Sequence, residues 1–153
     1  MNNLEPVLKY LESNFEGYLN ELIEFASIPS VSTDPAFKAD MARAAQWVAA
    51  RLERASIPQI EVLETPGHPV VYAQWIVSPD LPTVLIYGHY DVQPPDPLEK
   101  WQSAPFKPEV RLEHGEERLY ARGVSDDKGP MLIPILVANS INSFKYTSKF
   151  DSR

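Results

Sequence analysis

The run Thr83–Tyr87, TVLIY, constrains the fold of this chain more than any other feature, because it is apolar on both sides of a strand and ends at Gly88 in GHYD. A strand with no polar face must be covered on both sides, which places it in the middle of a sheet flanked by helices. The expected architecture is therefore α/β. The flanking elements agree. Apolar residues at Leu4, Val7, Leu8, Leu11, Phe15, Leu19, Leu22 and Ile23 keep a helical period, predicting an amphipathic helix to about Ala26. SIPSVSTDP then stops it, through its prolines and serines. A second helix is predicted over Lys38–Ala55, with Met41, Ala45, Val48 and Leu52 on one face. IEVLET, PVVYAQWIV and PTVLIYGH are predicted strands, short and bounded by Pro or Gly. A long Pro-rich excursion follows, with EVRLEHGEERLYAR patterned as a hairpin, and GVSDDKGPMLIPILVA then reads as a turn feeding a helix.

Composition narrows the chemistry. The 153 residues carry a formal charge of -7, which disfavours nucleic-acid and anionic-membrane partners, since both need a basic surface. There is no long apolar span and no signal-like start, so the expected location is cytoplasmic. There is no cysteine, so a metal would be held by histidine and carboxylate.

His89 and Asp91 stand at the carboxyl end of the expected central strand, where α/β sheets gather ligands. The imidazole is a metal ligand by type, and a carboxylate two residues on reaches its other nitrogen. An H-x-D triplet alone is more often a surface histidine beside a loop aspartate. Asp126 and Asp127 lie downstream, before a helix. Such a pair is more often a cap and a solvated neighbour. A carboxylate after the RLYARG strand nevertheless has two oxygens with which to bridge two cations. His68, in TPGHPV, and His114, in EHGEE, read as turn residues.

YGHYDVQP, the W and PF of KWQSAPFKPEV, and LYARGVSDDKGP occur in order. Together they resemble the dinuclear zinc metallopeptidases that include carnosine dipeptidases, cytosolic non-specific dipeptidases, aminoacylases, acetylornithine deacetylases and succinyl-diaminopimelate desuccinylases. FASIPSVST is similar to that family's N-terminal signature, and the likeness runs from about Leu4 to Val137. It implies a zinc-dependent exopeptidase fold, here a partial three-layer α/β/α sandwich. By the same resemblance His89 ligates one metal, Asp126 bridges both, Asp91 is the catalytic-site aspartate that orients His89, and Asp127 is not a ligand. A cis peptide is implied between Asp126 and Asp127. The implied cofactor is two Zn2+ per site, with Mn2+ or Co2+ as substitutes, and the implied substrates are dipeptides or N-acyl amino acids. GHYDVQP leans toward the dipeptidase branch.

After Gly129 the one acidic residue is Asp151, and no histidine follows His114. The family's general-base glutamate, its remaining ligands, the C-terminal half of its catalytic domain and its dimerisation domain are therefore expected to be absent. Residues 1–138 read as the N-terminal portion of a catalytic domain. Residues 139–153, which lose apolar periodicity, read as an aberrant or disordered end. On this reading the chain is inactive alone, and the alternative is a non-catalytic α/β remnant or binding module without a working metal site.

Overall fold

Helix α1 spans Glu5–Ala26 and ends where Ser27 and Pro29 interrupt the apolar stripe. The structure, a computed structural model, describes residues 5–150. Leu4, expected on the α1 face, and Asp151 lie outside the described residues. A short turn follows at Pro35–Phe37, with the Asp34 carboxylate accepting from the Ala36 N–H, a local cap that launches α2 at Lys38–Arg54. Met41, Ala44, Ala45, Val48 and Ala49 form the buried face of α2. The spacing of that face is the helical period read from the sequence. Phe25 at the end of α1 stacks on Trp47 of α2, rings 4.2 Å apart and 4° from parallel. Around them, Ile28, Ala44, Val48, Ala55 and Ile135 complete the core.

Strands β1, Gln59–Leu63, and β2, Val70–Gln74, pair antiparallel with Val62 opposite Val71, and α2 packs on them. Strands β3, Glu109–Glu113, and β4, Glu116–Tyr120, form the expected hairpin. Its turn sets His114 at φ 53° and Gly115 at φ 84°, the two left-handed positions that a tight hairpin turn of this hand requires. Helix α3, Gly129–Phe150, closes the structure with Leu132 and Ile135 buried.

Two expectations differ from the fold. PTVLIYGH is not a strand: among the described residues the sheets are β1–β2 and β3–β4, and no strand pairs with residues 83–88. Val84 and Leu85 are 79% and 92% exposed. The apolar sequence demands cover on both faces, and among the described residues no strand pairs with it. Nor does α3 falter near Asn139. It continues to Phe150 because polar side chains there find distant partners in place of an apolar stripe: Asn142 donates to the Ala55 carbonyl at 2.7 Å, and Tyr10 donates to Ser143 Oγ at 3.0 Å. Among the described residues no helix is long and apolar enough to cross a membrane.

Candidate metal centre

The site is assembled from three sequence-distant pieces: residues 30–32 after α1, residues 88–92, and the turn Val124–Lys128 before α3. Gly88 permits the closest approach, because a Cβ there would lie 2.6 Å from Met131 Cγ and 3.2 Å from Asp127 Oδ2. With that space open, the His89 N–H donates to Asp127 Oδ2 at 3.1 Å. This anchoring role of Asp127 was not apparent from the sequence.

The turn is a wide one, with the Lys128 N–H donating to the Gly123 carbonyl at 3.0 Å. Gly123 adopts φ 89°, and a Cβ on it would meet Val92 Cγ1 at 2.6 Å, so this position demands glycine twice over. The Asp126–Asp127 peptide is cis, as the resemblance implies. Lys128 fastens the turn from below. Its side chain is fully buried, and Nζ donates to the carbonyls of Ile28 at 2.6 Å and Phe25 at 3.0 Å. Burial, reinforced by Arg43, pushes its pKa down to about 7 against the opposing pull of Asp40 and Asp91.

These supports bring His89, Asp91 and Asp126 together. His89 Nδ1 lies 3.0 Å from Asp91 Oδ1 and 3.2 Å from the Asp91 carbonyl. On the other side of the ring, Nε2 lies 3.0 Å from Asp126 Oδ1. Burial of the ring disfavours its charged form, but the Asp91 carbonyl and the charges of Asp91 and Asp127 outweigh this and raise the His89 pKa above its usual value. A neutral imidazole donates one hydrogen bond only. If Nδ1–H serves Asp91, the Nε2 lone pair faces a carboxylate that can only accept, and the pair calls for a positive centre, either a second proton or a metal. Two ligands of a tetrahedral zinc, each about 2.0–2.2 Å from it, stand roughly 3.3 Å apart. The observed 3.0 Å separation fits that donor set. Asp126 is 81% exposed and open to an incoming ion. Among the described residues no group of three or more His, Asp or Glu side chains converges on one metal position. The pair supplies two donors of the types that a divalent metal takes.

Two further parts of the site escaped sequence reasoning. Ser32 Oγ donates to Asp91 Oδ2 at 2.5 Å, and His68, read as a turn residue, places Nε2 2.8 Å from the Ser32 carbonyl. The signal for Ser32 was present in FASIPSVST, whereas the TPGHPV sequence carries none for His68. Both line a cavity of about 770 Å³ with His89, Tyr90, Asp91 and Met131. His114 remains at its hairpin turn, away from these residues.

Comparison with known proteins gives the same direction. Residues 85–151 match the model for peptidase family M20/M25/M40. The chain is 28% identical to the Cys-Gly metallodipeptidase DUG1 of Saccharomyces cerevisiae, over 94% of this chain and 31% of that protein. It is 30% identical to the Beta-Ala-His dipeptidase of Homo sapiens, over 93% of this chain and 30% of that one. The crystal structure of human carnosine dipeptidase 1 superposes with a TM-score of 0.81 at 28% identity, covering 93% of this chain and 31% of that structure. The 153 residues thus span about 30% of the length of these relatives, and their fold is the corresponding part of an α/β peptidase domain. Over residues 85–151 the chain matches peptidase family M20/M25/M40, and along most of its length it is similar to dipeptidases of about three times its size.

Proposed function

We propose that this chain carries one part of a dinuclear zinc site that hydrolyses dipeptides or related short amides, in which His89 would hold one ion through Nε2 and Asp126 would be shared between the two. The observation that carries the reading is the 3.0 Å approach of His89 Nε2 to Asp126 Oδ1, with Asp91 held against Nδ1. Asp91 keeps the proton on Nδ1, which leaves the Nε2 lone pair free and raises its basicity. Asp127 holds the His89 backbone, and Lys128 fixes the turn that presents Asp126. When bound, a divalent metal pair supplies a Lewis acid for the scissile carbonyl and an acidified water. The proton must then be taken up by a base, and α3 offers none: no acidic residue lies between Gly129 and Phe150. The complete reaction therefore needs groups beyond those described, and the 153 residues alone turn over no dipeptide. The acidic, cysteine-free composition suits the cytoplasm.

Titration of the 153-residue chain with Zn2+ by calorimetry, repeated with Mn2+ and Co2+, tests the reading. Micromolar zinc binding that His89→Ala and Asp126→Ala each abolish is the expected result. Binding that survives both substitutions, or no binding at all, would favour a non-catalytic α/β module instead.

A further inference from the structure

We propose that Ser32 is a positioning residue of this site, its hydroxyl fixing the Asp91 carboxylate so that His89 is held in the tautomer whose Nε2 is free. The inference rests on the metal reading above for its purpose, but its geometry stands independently. A carboxylate turns about its terminal bond between broad, nearly equivalent orientations. The Asp91 carbonyl, 3.2 Å from Nδ1, already favours a proton there, and a tie on one carboxylate oxygen adds to that preference by keeping the other turned to the same nitrogen. Here the two oxygens are divided: Oδ2 accepts from Ser32 Oγ at 2.5 Å, and Oδ1 faces His89 Nδ1 at 3.0 Å. Since an ionised carboxylate only accepts, the hydroxyl hydrogen must point at Asp91, and 2.5 Å falls at the short end for a charge-assisted O–H···O contact.

The serine is itself held on several sides. Val31 and Val92 form a parallel bridge. The Val92 N–H donates to the Ser30 carbonyl at 2.8 Å, and Ser30 Oγ donates to the Tyr90 carbonyl at 2.6 Å. Ser30 is fully buried. The segment 30–32 therefore runs as a rail beside 90–92. From the far side, His68 Nε2–H donates to the Ser32 carbonyl at 2.8 Å; because a carbonyl only accepts, that nitrogen carries the proton. Tyr90 OH donates to the Pro69 carbonyl at 2.5 Å, tying the same loop to the same segment. Ser32 is thus the link through which the His68 loop and the end of α1 both bear on the orientation of His89.

The test uses the full chain labelled with 15N-histidine. With three histidines in the sequence, the His89 ring is assigned by its loss in His89→Gln, and long-range 1H–15N correlations at pH 8.5 report its tautomer. The tautomer is read in an Asp126→Ala background, which removes the carboxylate competing for an Nε2 proton, and zinc affinity with Asp126 intact; with Ser32 in place the ring is expected to hold the Nδ1–H form. Ser32→Ala and Ser32→Val should give a mixture of both tautomers, whereas Ser32→Thr, which matches valine in shape but keeps the hydroxyl, should restore the spectrum seen with Ser32 in place. Zinc affinity should fall about 10- to 100-fold in the alanine and valine variants and recover in threonine. A valine variant that is as ordered in tautomer as the threonine variant would overturn the proposal, even if alanine fails to fold. Absence of zinc binding by the wild type would remove the metal reading, while the tautomer comparison would still decide the role of Ser32.

Discussion

Arg51 is the most instructive place to perturb this fold. It is a guanidinium 2% exposed at the junction of the helices, with Nε 2.6 Å from Glu21 Oε2. Nη1 also donates to Asn139 Oδ1 at 3.4 Å, an acceptor that carries no charge. Removing one partner of a buried pair costs about 3–5 kcal/mol, because the remaining charge stays desolvated. Glu21 keeps 21% of its side chain exposed, so water relieves part of the loss and the lower figure, about 3 kcal/mol, applies to Glu21→Ala. For a domain of this size that corresponds to a fall in melting temperature of roughly 6–12 °C. Arg54 also approaches Glu21, at 3.7 Å, but is 53% exposed, so Arg54→Ala should cost no more than about 1 kcal/mol. The double variant Arg51→Met with Glu21→Leu should regain most of the loss, since it removes both charges together. Urea denaturation followed by tryptophan fluorescence measures all of these, with Trp47 stacked in the core as a reporter. If Glu21→Ala and Arg54→Ala prove equal within error, the charge on Arg51 is not held by Glu21 and the reasoning fails.

Two other predictions concern the site and its surroundings. Lys128 has a folded pKa of about 7 against 10.5 in the unfolded chain, so above pH 7 the unfolded state binds the extra proton; the stability of the metal-free chain should rise by about 1.4 kcal/mol per pH unit between pH 7 and 10 relative to Lys128→Met, and parallel profiles for the two proteins would contradict this. Val84–Tyr87 leave apolar side chains exposed without a pairing strand, so the wild type should self-associate in light scattering and Leu85→Lys should shift it toward monomer; a wild type that stays monomeric at high concentration would show that this edge is not adhesive.

What could be read in the sequence was whatever depends on local pattern. The α1 and α2 boundaries followed from apolar spacing and from the prolines after Ile28 and Asp34, and the β3–β4 hairpin from alternation around His114–Gly115. His89, Asp91 and Asp126 were nominated by motif, and the fold brings all three together. Less could be read where a residue's environment is supplied from far away. The apolar pattern of TVLIY specifies that it must be covered, but not that the cover lies among the described residues. Ser32 and His68 act through a hydroxyl and a main-chain carbonyl, and neither contact leaves a periodic trace. The continuation of α3 beyond Asn139 depends on partners such as Arg51 and Ala55, more than eighty positions away.

The bonds from Lys128 to the carbonyls of Phe25 and Ile28 join residues 103 and 100 positions apart. Closing a loop of that length carries an entropic cost of about 4 kcal/mol before any contact is made. On a ribosome adding about 5–20 residues per second, the end of α1 waits roughly 5–20 s for Lys128 to be made. During that interval Phe25 and the two carbonyls lack the ammonium that will cover them. The rail at Ser30–Ser32 meets its partner at 90–92 earlier, whereas Asp126 arrives with Lys128. The histidine half of the site is therefore organised first and its carboxylate last. A slow-translating stretch between these two points would lengthen the exposure of the α1 end without altering a single residue of the finished protein.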